Sequence, residues 1–289
     1  MKNYKIVITF FLLWLTIQFD SEAENVLAYV SILTLGLLHG ANDIKLLTRR
    51  GSTGTTSSYK ILVTYVAFVL CVGVLFYILP VLALFVFVVI SGFHFGEEHL
   101  HDKFTMGTRL LTYFFTTYGM LILFLIFYFN AEATSTIIYE ITSYDLPDSF
   151  FLIGIGLLGI STLIFSLVVY KNKNKEVSYI EEFVYILVFI ALFKMANLLW
   201  SFAIYFVIWH AIPSLSGQIR FLYGNTSFAS VVKYLKSSFV YWLLSITGVF
   251  SLYFYLRDDL YLFNAIFFAF LATITFPHVW VINSMKSKK

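Results

Sequence analysis

The residues able to do chemistry are few and concentrated. Ser91-Gly92-Phe93-His94-Phe95-Gly96-Glu97-Glu98-His99-Leu100-His101 carries three of the chain's six histidines and two carboxylates, and it closes an apolar run that begins near Pro80. Imidazole and carboxylate are expensive at the end of a hydrocarbon-spanning helix. Three explanations stay open: a bound metal, a proton path, or exposure at the membrane surface. The same residue types recur in His39-Gly40-Ala41-Asn42-Asp43, in Trp209-His210-Ala211-Ile212-Pro213-Ser214 and in Pro277-His278.

The elements that must position these groups are apolar helices. The chain is 60% hydrophobic, 20% aromatic and 12% charged, with mean hydropathy +0.86. A soluble domain would carry about 25% charge. Its apolar runs have the length of about 20 residues needed to cross a bilayer core of about 30 Å. The expected fold is all-α, a polytopic transmembrane bundle of about ten spans in one integral domain, residues 1–289. The runs lie at 6–19, 26–47, 59–79, 80–100, 108–129, 149–170, 179–193, 197–213, 238–256 and 260–284. The first 24 residues read as an extra N-terminal helix or anchor rather than a cleaved signal. The Gly/Ser/Thr-rich stretch from Arg49 to Ser58 reads as the clearest flexible connection.

The net charge of +3 is no nucleic-acid signal, because the basic residues lie in short clusters between runs. They follow the even-numbered runs: Lys45, Arg49, Arg50 and Lys60; Lys103 and Arg109; Lys171, Lys173 and Lys175; Arg220, Lys233 and Lys236; Lys286, Lys288 and Lys289. Positive charge on the cytoplasmic side places both termini in the cytoplasm and makes the chain a multi-pass protein of the plasma (inner) membrane. The lone Cys71 sits inside an apolar run and reads as a lipid- or helix-packed thiol.

On that topology every histidine lies toward the C-terminal end of an even-numbered run. His39 and His278 each precede the cytoplasmic end by seven or eight residues, a depth of about 11 Å; His94 and His210 are similar or slightly shallower. Four helices thus bring imidazoles to one level, which suits a metal. Neutral imidazole serves iron, copper, nickel and zinc. Glycines 36, 40, 92 and 96 bracket His39 and His94 and would let helix backbones approach closely. Glu98 shares a helix face with His94 at i,i+4, and Asp43 is placed to orient an imidazole. His99 is turned about 140° from His94 if the helix continues, so both reach one ion only where the helix frays. His101, beside Asp102 and Lys103, reads as a solvated surface histidine. Pro213 is expected to end its helix with His210 in the last turn.

These four motifs, in this order and over residues about 30–283, resemble the Brp/Blh family of membrane-embedded β-carotene 15,15′-dioxygenases. The resemblance implies an iron(II) enzyme that uses O2 to cleave the central double bond of β-carotene or a related carotenoid into retinal. It implies His39, His94 and His210 as iron ligands, with the bilayer supplying the substrate and a retinal-binding rhodopsin as a downstream partner. Two positions depart from the family pattern. Ser214 stands where a second histidine follows the tryptophan-histidine motif, and His99 stands where an aspartate is usual. Either His99 or His278 replaces the missing ligand, or the site has three histidines, or the activity is changed. Glu98 and Asp43 are the carboxylates assigned to the chemistry, and His39, His94, His99, His210 and His278 the metal candidates. Two other classes stay open: a histidine-dependent proton-coupled transporter, and a non-catalytic carotenoid- or retinal-binding protein.

Overall fold

The computed structural model describes residues 4–50, 58–104, 109–172 and 178–286. The Gly/Ser/Thr-rich connection at 51–57 and the lysines at 173, 175, 288 and 289 lie outside the described residues. Every regular element among those described is helical: α1 (Tyr4–Gln18), α2 (Ser21–Ser31), α3 (Asp43–Arg50), α4 (Ser58–Ile78), α5 (Pro80–Leu100), α6 (Arg109–Phe129), α7 (Ala131–Thr142), α8 (Phe150–Val168), α9 (Tyr179–Met195), α10 (Leu198–Ile204), α11 (Ile212–Tyr223), α12 (Phe228–Leu256) and α13 (Leu260–Lys286). Two π-helical turns, Ile32–Gly36 and Tyr205–Ala211, extend α2 and α10.

Seven helices among the described residues are long and apolar enough to cross a membrane, where ten spans were expected. The difference lies in three runs. The first forms α1, whose 15 residues rise about 22 Å and fall short of a bilayer core of about 30 Å. The run at 26–47 is divided, because the chain leaves the helix at His39–Asn42 and restarts at Asp43. Helix α9 has 17 residues and carries Glu181, Glu182 and Lys194.

Two further boundaries differ from expectation. Pro213 does not end its helix. A proline cannot donate to the carbonyl four residues back, here that of Trp209, and its ring crowds that carbonyl. The helix absorbs the conflict by widening into the π turn Tyr205–Ala211 and then continues as α11 to Tyr223. Beyond it, Gly224 takes a left-handed conformation (φ 82°) that closes α11. Ser227 then caps the long α12, which begins ten residues ahead of the apolar run at 238–256. The polar stretch before α8 likewise contains a helix, α7.

The contacts cluster into two compact units. The first comprises residues 1–32, 88–136 and 145–210. Within it α6 packs on α8, α9 and α10, α2 on α10, and α1 on α9. Helix α1 is tied in by two threonines two turns apart. Buried Thr9 and Thr16 accept the indole N–H groups of Trp209 (3.0 Å) and Trp200 (2.9 Å). At α2, the Glu24 carboxylate accepts the backbone N–H of Asn197 (2.9 Å) at the start of α10. Helices α5 and α6 cross at glycines. A Cβ on Gly119 would lie 1.9 Å from the Gly92 carbonyl oxygen, and one on Gly96 would lie 1.9 Å from that of Phe115. Two apolar helices gain little from lipid exclusion, so such close van der Waals approach is what holds them together.

The second unit comprises residues 33–87, 137–144 and 211–289. Helix α13 packs on α3, α4 and α12, and α11 packs on α3 and α12. Its core gathers Leu46, Leu215, Ile219, Leu222, Tyr234, Val281 and Ile282. The candidate spans on α8 and α12 are only 11% and 6% buried, against 78% for Leu198–Tyr223. The first two are therefore peripheral helices, and the histidine-bearing Leu198–Tyr223 is a core helix. Cys71 on α4 is exposed, as a lipid-facing thiol would be.

Candidate functional site

In the second unit the break at His39 and the C-terminal half of α13 bring two buried imidazoles together. The His39 and His278 rings lie 4.6 Å apart between centroids, edge to face at 83°. Each is held through Nδ1. His39 Nδ1–H donates to the Gly36 carbonyl in the π turn just before it. His278 Nδ1–H donates to the Asp43 carboxylate, at 2.9 and 3.0 Å from its two oxygens. The second Asp43 oxygen also accepts the Tyr65 hydroxyl at 2.8 Å. Asp43 opens α3, where the helix dipole favours a carboxylate. The sequence marked Asp43 as an orienter of an imidazole, and the imidazole it orients is His278, 235 residues away.

A proton fixed on Nδ1 puts the lone pair on Nε2. A carbonyl or carboxylate holding Nδ1–H is the usual arrangement behind a metal-bound histidine. Spacing fits as well. With metal–nitrogen bonds of about 2.1 Å, an imidazole centre stands about 3.2 Å from the ion, so two rings at right angles around it have centres about 4.5 Å apart. The donor set of this pair suits a first-row divalent ion.

The first unit holds a second pair with the same spacing. His94 on α5 and His210 in the π turn Tyr205–Ala211 lie 4.6 Å apart at 73°, and each is 1% exposed. Phe206 stacks on His210 (5.6 Å, 14°) and Phe95 meets it edge-on at 4.7 Å. The glycines that bracket His94 act as the sequence suggested, since Gly92 and Gly96 are the α6 contact points. Gly40 differs: a Cβ there would meet His278 at an ordinary 3.8 Å. Among the described residues no group of three or more His, Cys, Asp or Glu side chains is assembled as a ready metal-holding set.

Helix α5 runs unbroken to Leu100, so His99 is turned off the His94 face and enters another cluster. Its Nε2–H donates to Glu182 Oε2 (2.9 Å), whose other oxygen accepts Lys103 Nζ (2.6 Å). The Tyr118 hydroxyl stands 3.2 Å from the same imidazole nitrogen and 3.4 Å from Glu182. The ring of His99 stacks on Trp209 (5.6 Å, 13°), the residue before His210. Glu98 is half-buried on α5, and His101 is half-buried rather than fully solvated.

A family model described as beta-carotene 15,15'-dioxygenase matches residues 30–286. The chain belongs to this family. No curated protein and no solved structure matches it. The matched span holds all four motif histidines of the dioxygenase family resemblance, and it leaves α1 and most of α2 outside.

Several residues that build these sites escaped the sequence reading of this dioxygenase-family chain. Tyr65, Gln218 and Tyr234 serve the His39–His278 pair, while Glu182 and Tyr118 serve His99. Glu182 carried a usable signal, since a buried acid within an apolar run needs a named partner, whereas Gln218 lies beyond the run at 197–213. Tyr65, Tyr118 and Tyr234 carried none, being three of 20 tyrosines.

Proposed function

We propose that this membrane protein is an iron(II)-dependent dioxygenase. It cleaves the central 15,15′ double bond of β-carotene, or a related carotenoid, to give retinal. The family match over residues 30–286 carries the reading. The bonds balance without further reactants: one C=C breaks, each carbon gains one oxygen atom of O2 as an aldehyde, and no proton or reductant is consumed. Bound iron(II) would supply the centre at which O2 is activated.

The residues proposed to hold it are His39, His94, His210 and His278, through neutral imidazole nitrogens. The structure argues for each pair by itself; the family resemblance, which implies His39, His94 and His210 as iron ligands, is the argument for grouping the pairs. His278 then takes the place of the ligand missing at Ser214, and His99 serves as a brace. Asp43, with Tyr65, fixes the tautomer and direction of His278. Phe95 and Phe206 give His210 an apolar surround that excludes water and matches a hydrocarbon substrate. The polyene dissolves in the bilayer, so a protein of apolar helices meets it directly. The cell membrane is the proposed location, and a retinal-binding rhodopsin the consumer of the product.

The test is pigment and retinal analysis of carotene-accumulating bacteria expressing the wild type beside His94→Ala and His278→Ala, with iron measured on the purified proteins. Retinal and bound iron in the wild type, both lost in the variants, is the expected result. Iron without any cleavage product would leave a metal-binding carotenoid protein. Neither iron nor product from folded protein would favour a histidine-dependent transporter.

A further inference from the structure

The carbonyl of His39, in the turn that carries it, is met from outside by a buried side-chain amide. His39 is the first residue beyond its helix, where main-chain carbonyls lose their intrahelical donors. In a water-poor interior each such carbonyl needs a partner. The His39 carbonyl accepts Gln218 Nε2–H at 2.8 Å, and Gln218 is 0% exposed. The amide's orientation is fixed at both ends. Tyr234 donates its hydroxyl to Gln218 Oε1 (2.7 Å), and the second Nε2–H points at Ser214 Oγ (3.2 Å). Flipping the amide would set its oxygen against the His39 carbonyl and its NH2 against a hydroxyl that donates. The next residues of the turn are fastened to the same helix α12, since Asn42 donates to the Tyr234 carbonyl (3.1 Å) and accepts from Ser237 (2.9 Å).

His39 is thereby gripped twice. Its ring is held by Gly36 through Nδ1, and its main chain by Gln218. Without the Gln218 bond the His39 main chain loses its closest partner outside the turn, and the ring bond to Gly36 fixes only the side-chain torsions.

We propose that Gln218, seated by Tyr234 and Ser214, is the positioning residue of His39 and sets the direction in which its Nε2 faces a metal. The inference rests on the metal reading of His39 and deepens it. It also makes a claim on the metal-free protein, where the ring position of His39 depends on an amide bonded to its main-chain carbonyl.

The experiment uses full-length, metal-free protein labelled with 15N-histidine in lipid nanodiscs. His39 is assigned by the resonance lost in His39→Gln. The wild type should give one His39 ring signal, protonated at Nδ1. Gln218→Met keeps the side-chain length and removes the donor. Its His39 signal should split or broaden while those of His94 and His210 stay. Tyr234→Phe removes the hydroxyl that orients the amide, which also stands 3.4 Å from the Leu38 carbonyl and 3.5 Å from that of His39, and should give a smaller version of the same change; it also serves where Gln218→Met does not fold. On titration with iron(II), Gln218→Met should bind at least about 10-fold more weakly than wild type, the usual cost of losing support behind a ligand. An unmoved His39 signal in both variants overturns the proposal. A wild type that binds no iron removes the metal reading alone, and the metal-free spectra still decide the role of Gln218.

Discussion

The sharpest mechanical consequence of this fold concerns Gly119→Ala. The added methyl would lie 1.9 Å from the Gly92 carbonyl oxygen and 2.7 Å from the Gly96 nitrogen, both backbone atoms. Restoring an ordinary contact of about 3.5 Å requires α5 and α6 to part by about 1.6 Å. The two glycines met by that methyl flank His94, so the displacement falls on the histidine facing His210 in the same unit. Overpacking of this kind costs about 1–3 kcal/mol, which lowers stability without abolishing the fold. Misplacing a reacting group by about 1 Å costs on the order of 100-fold in rate. Gly119→Ala should therefore remain folded in detergent and lose retinal formation about 100-fold. Gly159→Ala is the control, because a Cβ there meets nothing within 4 Å. It should melt no lower than wild type and make retinal normally. Retinal formation by Gly119→Ala at the Gly159→Ala level would refute the argument that the α5–α6 crossing sets the position of His94.

Asp43→Asn keeps a carbonyl oxygen for His278 Nδ1–H and removes the charge behind it. Iron affinity, read by titration of the apo-protein, should fall about 10–100-fold with little change in melting temperature. Glu182→Gln leaves Lys103 without the carboxylate it approaches at 2.6 Å. Breaking such a pair costs about 3 kcal/mol where it is buried, so a clear drop in melting temperature is expected, with retinal per folded molecule largely retained. Pro213→Ala returns an N–H to the carbonyl of Trp209 and lets the π turn tighten. Melting temperature should hold or rise while His210 leaves its place opposite His94 and retinal formation falls; unchanged retinal would show that the widened turn is not needed.

Helical class and the membrane setting were legible because composition and run length decide them. The positions of His39, His94 and His278 toward helix ends were legible too, whereas His210 sits mid-way along a span that runs on to Tyr223. Helix interruptions were less so. Pro213 reads as a terminator by its missing donor, and whether a helix stops or widens depends on what grips it on either side. Here Trp209 is fixed to Thr9 and stacked on His99, and Gln218 is locked to α12 through Tyr234. Ending the helix between them would discard both attachments. The break at His39–Asn42 was hidden in the opposite way. Gly40 and Ala41 look like close-packing residues, and the donors that make the break tolerable, Gln218 and the residues around Tyr234, stand nearly 180 residues further on.

The partners of the site residues follow the same logic. A spacing of four suggested that Asp43 serves an imidazole on its own turn, yet the helix ends between His39 and Asp43, and the face relationship ends with it. The carboxylate instead meets His278 on α13. Ser214 shows what this means for the departure from the family pattern. Were it only the remnant of a lost ligand, a small side chain with no polar task would be expected at that place. Instead it is 3% exposed and bonded to Gln218, the same amide that holds the His39 carbonyl. Ser214 and Gln218 are therefore joined in one hydrogen-bonded group that supports the His39 main chain.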